Sequence, residues 1–180
     1  MLILVFALGW NCFAQELYTA RLVVVYGGSI PFNFNSIQRY SEGIEIEDGT
    51  ILGVTLQEDD DSDIELEGFD LQVRAFNAYS IKGDAYELAL DRIRIRADNY
   101  MGLVDGEYFG YQELSSTWVT LFSYNPGIFE GTSWNTHQLG ISFDCGRSAD
   151  EGGAGIMLGE NPDFYSVEVE FVIVPFGPGL

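Results

Sequence analysis

Apolar and polar residues alternate with a period of two along much of this chain, as in Ile44-Glu45-Ile46-Glu47, Ile64-Glu65-Leu66-Glu67 and Val167-Glu168-Val169-Glu170. A pleated strand sends successive side chains to opposite faces, so each such segment has one apolar face for a core and one charged face for solvent. No window of about eleven residues or more sustains the 3.6-residue repeat of an amphipathic helix. The segments Leu17 to Val25, Ile30 to Ile37, Thr50 to Leu56, Ile64 to Phe76, Tyr86 to Ala97, Thr117 to Tyr124, Thr136 to Asp144 and Tyr165 to Val174 read as strands. Turn chemistry lies between them, at Gly27-Gly28, Asp48-Gly49, Lys82-Gly83-Asp84, Asp105-Gly106, Asn125-Pro126-Gly127 and Gly152-Gly153. Only Asp84 to Asp91 reads as a short helical turn. The expected fold is all-β: a single antiparallel β-sandwich of about eight strands, Ig-like or jelly-roll-like.

A chain of 180 residues, 47% apolar, has enough material for a sizeable core. Its 8 basic residues against 28 acidic ones leave a net charge of -20, which repels phosphate backbones and excludes nucleic acid as a partner. Residues 1–15, MLILVFALGWNCFAQ, form a short apolar run that ends in small and polar residues, and they read as an export signal cleaved near Gln15. The usual positive start is missing, which implies a start codon upstream or an atypical signal. The run is too short to span a bilayer, which takes about 20 residues, and no later segment qualifies as transmembrane. Residues 16–180 would form the β-sandwich domain. Loss of Cys12 with the signal would leave Cys145 alone, so sheet packing rather than an intrachain disulfide must supply the stability.

The acidic run Glu58 to Glu65 concentrates the hard oxygen ligands that calcium prefers. Asp59, Asp61 and Asp63 match the first positions of a calcium loop and Asp70 its twelfth, but Ile64 stands where such a loop needs glycine. The alternatives are a calcium loop of another kind and a solvated hairpin tip. Arg92, Arg94 and Arg96 alternate with isoleucines and would share one strand face. They either pair across strands with glutamates or dock an acidic partner surface, such as a second copy carrying Glu168 and Glu170.

Catalytic signatures are missing: the one histidine, His137, begins a strand, and no G-x-S-x-G elbow or H-E-x-x-H motif occurs. The chain is read as a non-enzyme. A glycosidase needs only two carboxylates, but among 28 acidic residues no pair stands out. The glycines at 152, 153, 155 and 159 read as a loop joining the last two strands. The aromatic and glycine-rich stretch Asn99 to Tyr111 reads as a lid folded on the core, with a sugar-stacking or interface loop as the alternative. Trp118 reads as core because it begins a strand; Trp134 is open between core and surface.

Gly27-Gly28-Ser29-Ile30-Pro31-Phe32-Asn33-Phe34-Asn35-Ser36, Tyr40-Ser41-Glu42-Gly43-Ile44, Thr50 to Leu56, Ile141 to Gly146 and Tyr165 to Phe171 together resemble exported β-sandwich proteins of the Bacteroidetes. The last alternating strand is also similar to the closing strand of pilin-type subunits. After cleavage near Gln15 the chain would enter Leu17 to Val25 almost at once, leaving no clear detachable extension unless that strand is itself donated, a departure from donor-strand pilins. The resemblance implies a secreted protein or one at the outer cell surface of a Gram-negative bacterium. The expected role is a structural or adhesive subunit, self-assembling into a filament, whose partners are itself or other surface proteins. The alternative is a secreted carbohydrate- or ligand-binding module.

Overall fold

A computed structural model describes residues 18–58, 65–147 and 157–178. In chain order it contains β1 (Tyr18–Tyr26), α1 (Ile37–Glu42), β2 (Ile44–Glu58), β3 (Gly68–Ala75), β4 (Ile81–Lys82), β5 (Glu87–Leu88), a 3-10 turn (Leu90–Arg92), β6 (Ile93–Met101), β7 (Glu107–Tyr108), β8 (Gln112–Glu113), β9 (Val119–Tyr124), β10 (Gln138–Cys145) and β11 (Val169–Phe176). Two antiparallel sheets form a sandwich, a five-stranded one in the order β1-β2-β10-β6-β8 and a four-stranded one in the order β11-β3-β9-β7. β4 and β5 make a separate small hairpin.

The period-two alternation is what drives the sheets together. Leu52, Val54 and Leu56 of β2, Ile93, Ile95 and Ala97 of β6, and Leu139, Ile141 and Phe143 of β10 face inward from one sheet. Phe69, Leu71, Val73 and Ala75 of β3 meet them with Leu121 and Phe122 of β9. Each fully buried aliphatic or aromatic side chain contributes about 1.5–3 kcal/mol.

From β2 onward the long strands alternate between the sheets, β2, β6 and β10 in one and β3, β9 and β11 in the other. The chain therefore crosses from one sheet to the other at each step between long strands. It leaves the first and last strands on open edges: β1 borders the five-stranded sheet and β11 the four-stranded one. The two come within 8 Å of one another, so they lie on the same side of the sandwich. The other side is bordered by β8 and β7, of two residues each.

Five segments depart from the sequence reading. Ile30 to Ile37 makes no strand, although Ile30, Phe32 and Phe34 pack on the core with strand-like spacing. Pro31 offers no ladder donor, and the Ser36 hydroxyl accepts from Arg39 N to cap α1, a helix too short to leave a periodic signature. Asp48-Gly49 is a bulge inside β2 rather than a turn: Phe143 pairs with Ile46 and Ile141 with Thr50, so Glu47, Asp48 and Gly49 stand opposite Ser142 alone. Two extra residues preserve the alternation phase. Tyr86 to Ala97 is broken by the 3-10 turn, and the buried positions slip from Leu88 and Leu90 to Ile93 and Ile95. In Ile64 to Phe76 and Tyr165 to Val174 the long strands begin four residues later than expected, at Gly68 and at Val169.

Candidate functional site

The outer face of the five-stranded sheet carries a charged row. Glu45, Asp144, Arg94 and Glu113 lie in register across β2, β10, β6 and β8. Arg94 donates to Asp144 Oδ2 from Nη2 at 2.5 Å and from Nε at 3.1 Å. Asp144 is fully buried, and burial pushes its carboxyl above the usual carboxylate range against the opposing pull of Arg94. The Tyr111 ring lies 4.9 Å from the Arg94 guanidinium and 4.7 Å from that of Arg96. Its hydroxyl donates to Glu45, which also pairs with Arg147 at 2.8 Å.

The arginine ladder is therefore engaged within the chain. Arg96 pairs with Asp98 at 2.7 Å, and Arg92, in the 3-10 turn rather than on the strand, pairs with Glu160 at 3.0 Å. Of the two readings, cross-strand pairing describes Arg94, with an aspartate as its partner. Glu170 is likewise taken: it faces Arg74 across the β3–β11 ladder at 2.7 Å, and Arg74 stacks on Trp118 at 4.3 Å. Trp118 is thus on the outer surface, 37% exposed, because it precedes β9 and meets a cation there. Glu168, just before β11, is exposed, and its carboxylate has no partner among the described residues.

Of the residues proposed for calcium, Asp59, Asp61 and Asp63 lie outside the described residues. Asp70 stands on the outer face of β3, in register with Ser123 and Val174. Among the described residues no group of three or more His, Cys, Asp or Glu is placed to hold a metal. A depression of about 330 Å³, lined by Gln57, Glu58, Phe129, Glu130 and Gly131, opens where β2 ends, with Glu58 Oε1 accepting from Leu66 N at 2.5 Å.

Only part of the aromatic stretch folds back on the core: Leu103 is buried, and Tyr108 packs 4.6 Å from Phe122 while its hydroxyl donates to Leu103 O, whereas Tyr100, Val104 and Phe109 are exposed and Tyr111 lies on the outer sheet face. His137 precedes β10, where Nδ1 accepts from Ser133 N and closes a turn. That turn lays Trp134 over Gly53: Trp134 N donates to Thr55 Oγ1, and Gln138 Nε2 donates to Trp134 O. A Cβ on Gly53 would meet Trp134 O at 2.6 Å.

The open edges carry a different chemistry from the charged row. Val24, Val25 and Tyr26 of β1 are 58%, 42% and 65% exposed, and Val174 of β11 is 39% exposed. No element other than β2 pairs with β1 among the described residues. Of the 8 basic residues, Arg21 of β1 is the one without a partner among the described residues. It was missed in the sequence because it is an isolated charge in an apolar strand, although isolation in a chain of net charge -20 was itself a signal.

No protein-family model matches the chain, and no curated protein is significantly similar to it.

Proposed function

We propose that this protein is a structural subunit, exported to the cell surface or beyond, that works by joining to further copies through its open sheet edges. The observation that carries this reading is the placement of β1 and β11, the first and last strands, on the two long open edges of the sandwich. An unpaired edge offers a row of backbone donors and acceptors to another chain, and proteins that stay apart blunt such edges with charges, prolines or short strands. β1 has nine residues, no proline and Arg21 as its single charge. The opposite side of the sandwich is blunted, since β7 and β8 have two residues each. The charged row around Arg94 is internally neutralised and supplies no comparable patch. The reading invokes no catalytic step.

Sedimentation equilibrium from micromolar to millimolar protein tests it. Mass should rise with concentration, and Val25→Lys, which places a charge on the open edge, should hold the protein monomeric with an unchanged melting temperature. A wild-type mass that stays monomeric throughout overturns the reading.

Carbohydrate binding has one observation in its favour: Trp134, 43% exposed, is fixed over Gly53 on the outer sheet face, where its ring could stack on a sugar. Quenching of Trp134 fluorescence by oligosaccharides, lost in Trp134→Ala, would support this second reading.

A further inference from the structure

The outer face of the four-stranded sheet carries a braced indole beside polar side chains that the fold itself does not use. Three rows cross this face in register: Glu170 with Arg74, Val172 with Gln72 and Thr120, and Val174 with Asp70 and Ser123. Phe171, Val73 and Val119, in register between the first two rows, pack on the core, so the three rows point outward. Trp118 stands beside the first row, just before β9, with the Arg74 guanidinium 4.3 Å from its ring centroid. Arg74 is held in turn by Glu170, with Nε donating at 2.8 Å and Nη2 lying 2.7 Å from the same carboxylate oxygen. The indole is thus supported from one side, and a ligand that stacks on it must use the other. Gln72, Thr120, Asp70 and Ser123 are half-buried, and their side chains have no hydrogen-bond partner among the described residues. On the outer face of the other sheet such groups satisfy one another, as Arg94 does Asp144 and Tyr111 does Glu45.

We infer that this face is a binding strip for an uncharged glycan. A sugar ring presents C–H groups on its faces and hydroxyls around its rim. Trp118 takes the apolar face, at low entropic cost because the ring is already braced. The Gln72 amide, the Thr120 and Ser123 hydroxyls and the Asp70 carboxylate meet the rim with both donors and acceptors. Successive rows are two residues apart along β3, so the strip runs about 13 Å from Arg74 to Asp70, the reach of a short oligosaccharide rather than of one ring. Charge narrows the class. Asp70 and Glu107 flank Ser123 in register, neither with an ion-pair partner among the described residues, on a chain of net charge -20. Sulfated and uronate-bearing glycans are therefore repelled. A proline-rich peptide would also stack on an indole, but that mode uses a groove lined by aromatics. Here the next aromatic of the face, Phe176 against Gly68, lies three rows from Trp118, beyond the polar side chains. The strip is separate from Trp134 on the other sheet and from the open edges, so it does not depend on self-association.

An array of neutral, uronate-bearing and sulfated oligosaccharides, probed with dilute protein, tests the inference, with calorimetry on the neutral glycan best retained. Neutral glycans should bind and sulfated ones should not, and affinity should grow with oligosaccharide length. Trp118→Ala should weaken binding by at least roughly 10-fold, Trp118→Phe by less, and Gln72→Ala and Thr120→Ala by roughly 3- to 10-fold each. All four variants should keep the circular dichroism of wild type, because these side chains lie outside the buried core. Trp134→Ala should bind as wild type does. Retention of no neutral glycan, preference for sulfated ones, or binding indifferent to Trp118→Ala overturns the inference. Binding lost in Trp134→Ala but not in Trp118→Ala overturns it in favour of the other face. A polyproline peptide that binds through Trp118 where no glycan does overturns it as well. Each of these outcomes leaves the self-association proposed above to its own test by mass.

Discussion

Arg94 and Asp144 face one another across β6 and β10 and form an ion pair beneath the Tyr111 ring, with Asp144 fully buried and Arg94 12% exposed. A charge held so deep depends on its partner. Arg94→Met should therefore destabilise the fold by about 3 kcal/mol or more in urea titration, because it leaves a carboxylate uncompensated in the interior. Replacing both residues by apolar ones should recover most of that loss. Equal losses in the single and double variants would show that packing, rather than charge, is at stake.

The same pair makes a prediction about pH. Burial outweighs the pull of Arg94 and raises the Asp144 carboxyl, so the folded chain holds this proton more tightly than the unfolded one. The contribution is fully present below the ordinary value of 3.8 and is lost as pH rises through the raised folded value. The stability of wild type relative to Asp144→Asn should therefore fall from about pH 3 to neutrality. A relative stability that rises with pH would mean that the ion pair, not burial, dominates.

Gly68 is a wedge point between strands. A Cβ there would lie 1.9 Å from Tyr124 O and 2.8 Å from the Phe176 ring, so Gly68→Ala has to push β9 and β11 apart. A loss of about 1–3 kcal/mol is expected in thermal denaturation. Gly28→Ala is the control: nothing lies within 4 Å of its Cβ position, and its stability should change by less than about 0.5 kcal/mol. Similar effects at the two positions would contradict the close approach at Gly68.

Cys145 should be inert while the protein is folded. It is buried at the inner face of β10, and burial pushes its thiol up to about 12, so almost no thiolate exists at neutral pH. Mass spectrometry of the peptide containing Cys145 should show no alkylation under native conditions and complete alkylation in denaturant. Rapid native labelling would show that β10 opens readily.

The sandwich was legible because burial on one face writes alternation into sequence directly, as in Ile93-Arg94-Ile95-Arg96 and Val167-Glu168-Val169-Glu170. Even the break at Leu90 was written there, as the phase slip between Leu88-Ala89-Leu90 and Ile93-Arg94-Ile95. Asp48-Gly49 misled because a two-residue insertion keeps phase, so a bulge and a turn look alike along one strand. The charged row was legible only in part. Arg94 and Arg96 stood out, but their partners Asp144 and Tyr111 come from distant positions, and only the sheet order β10-β6-β8 brings them together. Trp118 failed because alternation says which residues share a face and not where a strand starts. That β1 and β11 lie at edges on one side of the sandwich depends on the crossing pattern, which no local pattern encodes.

Amide hydrogen exchange across a concentration series tests the edge-pairing account most directly, because it reads the backbone groups that pairing would engage. The account predicts that outward amides of Tyr18–Tyr26 and Val169–Phe176 exchange freely in dilute protein and become protected together as concentration rises, with the face bearing Arg94 and Tyr111 unchanged. Protection that never changes with concentration, or that appears on the Arg94 face while β1 and β11 stay open, would contradict it.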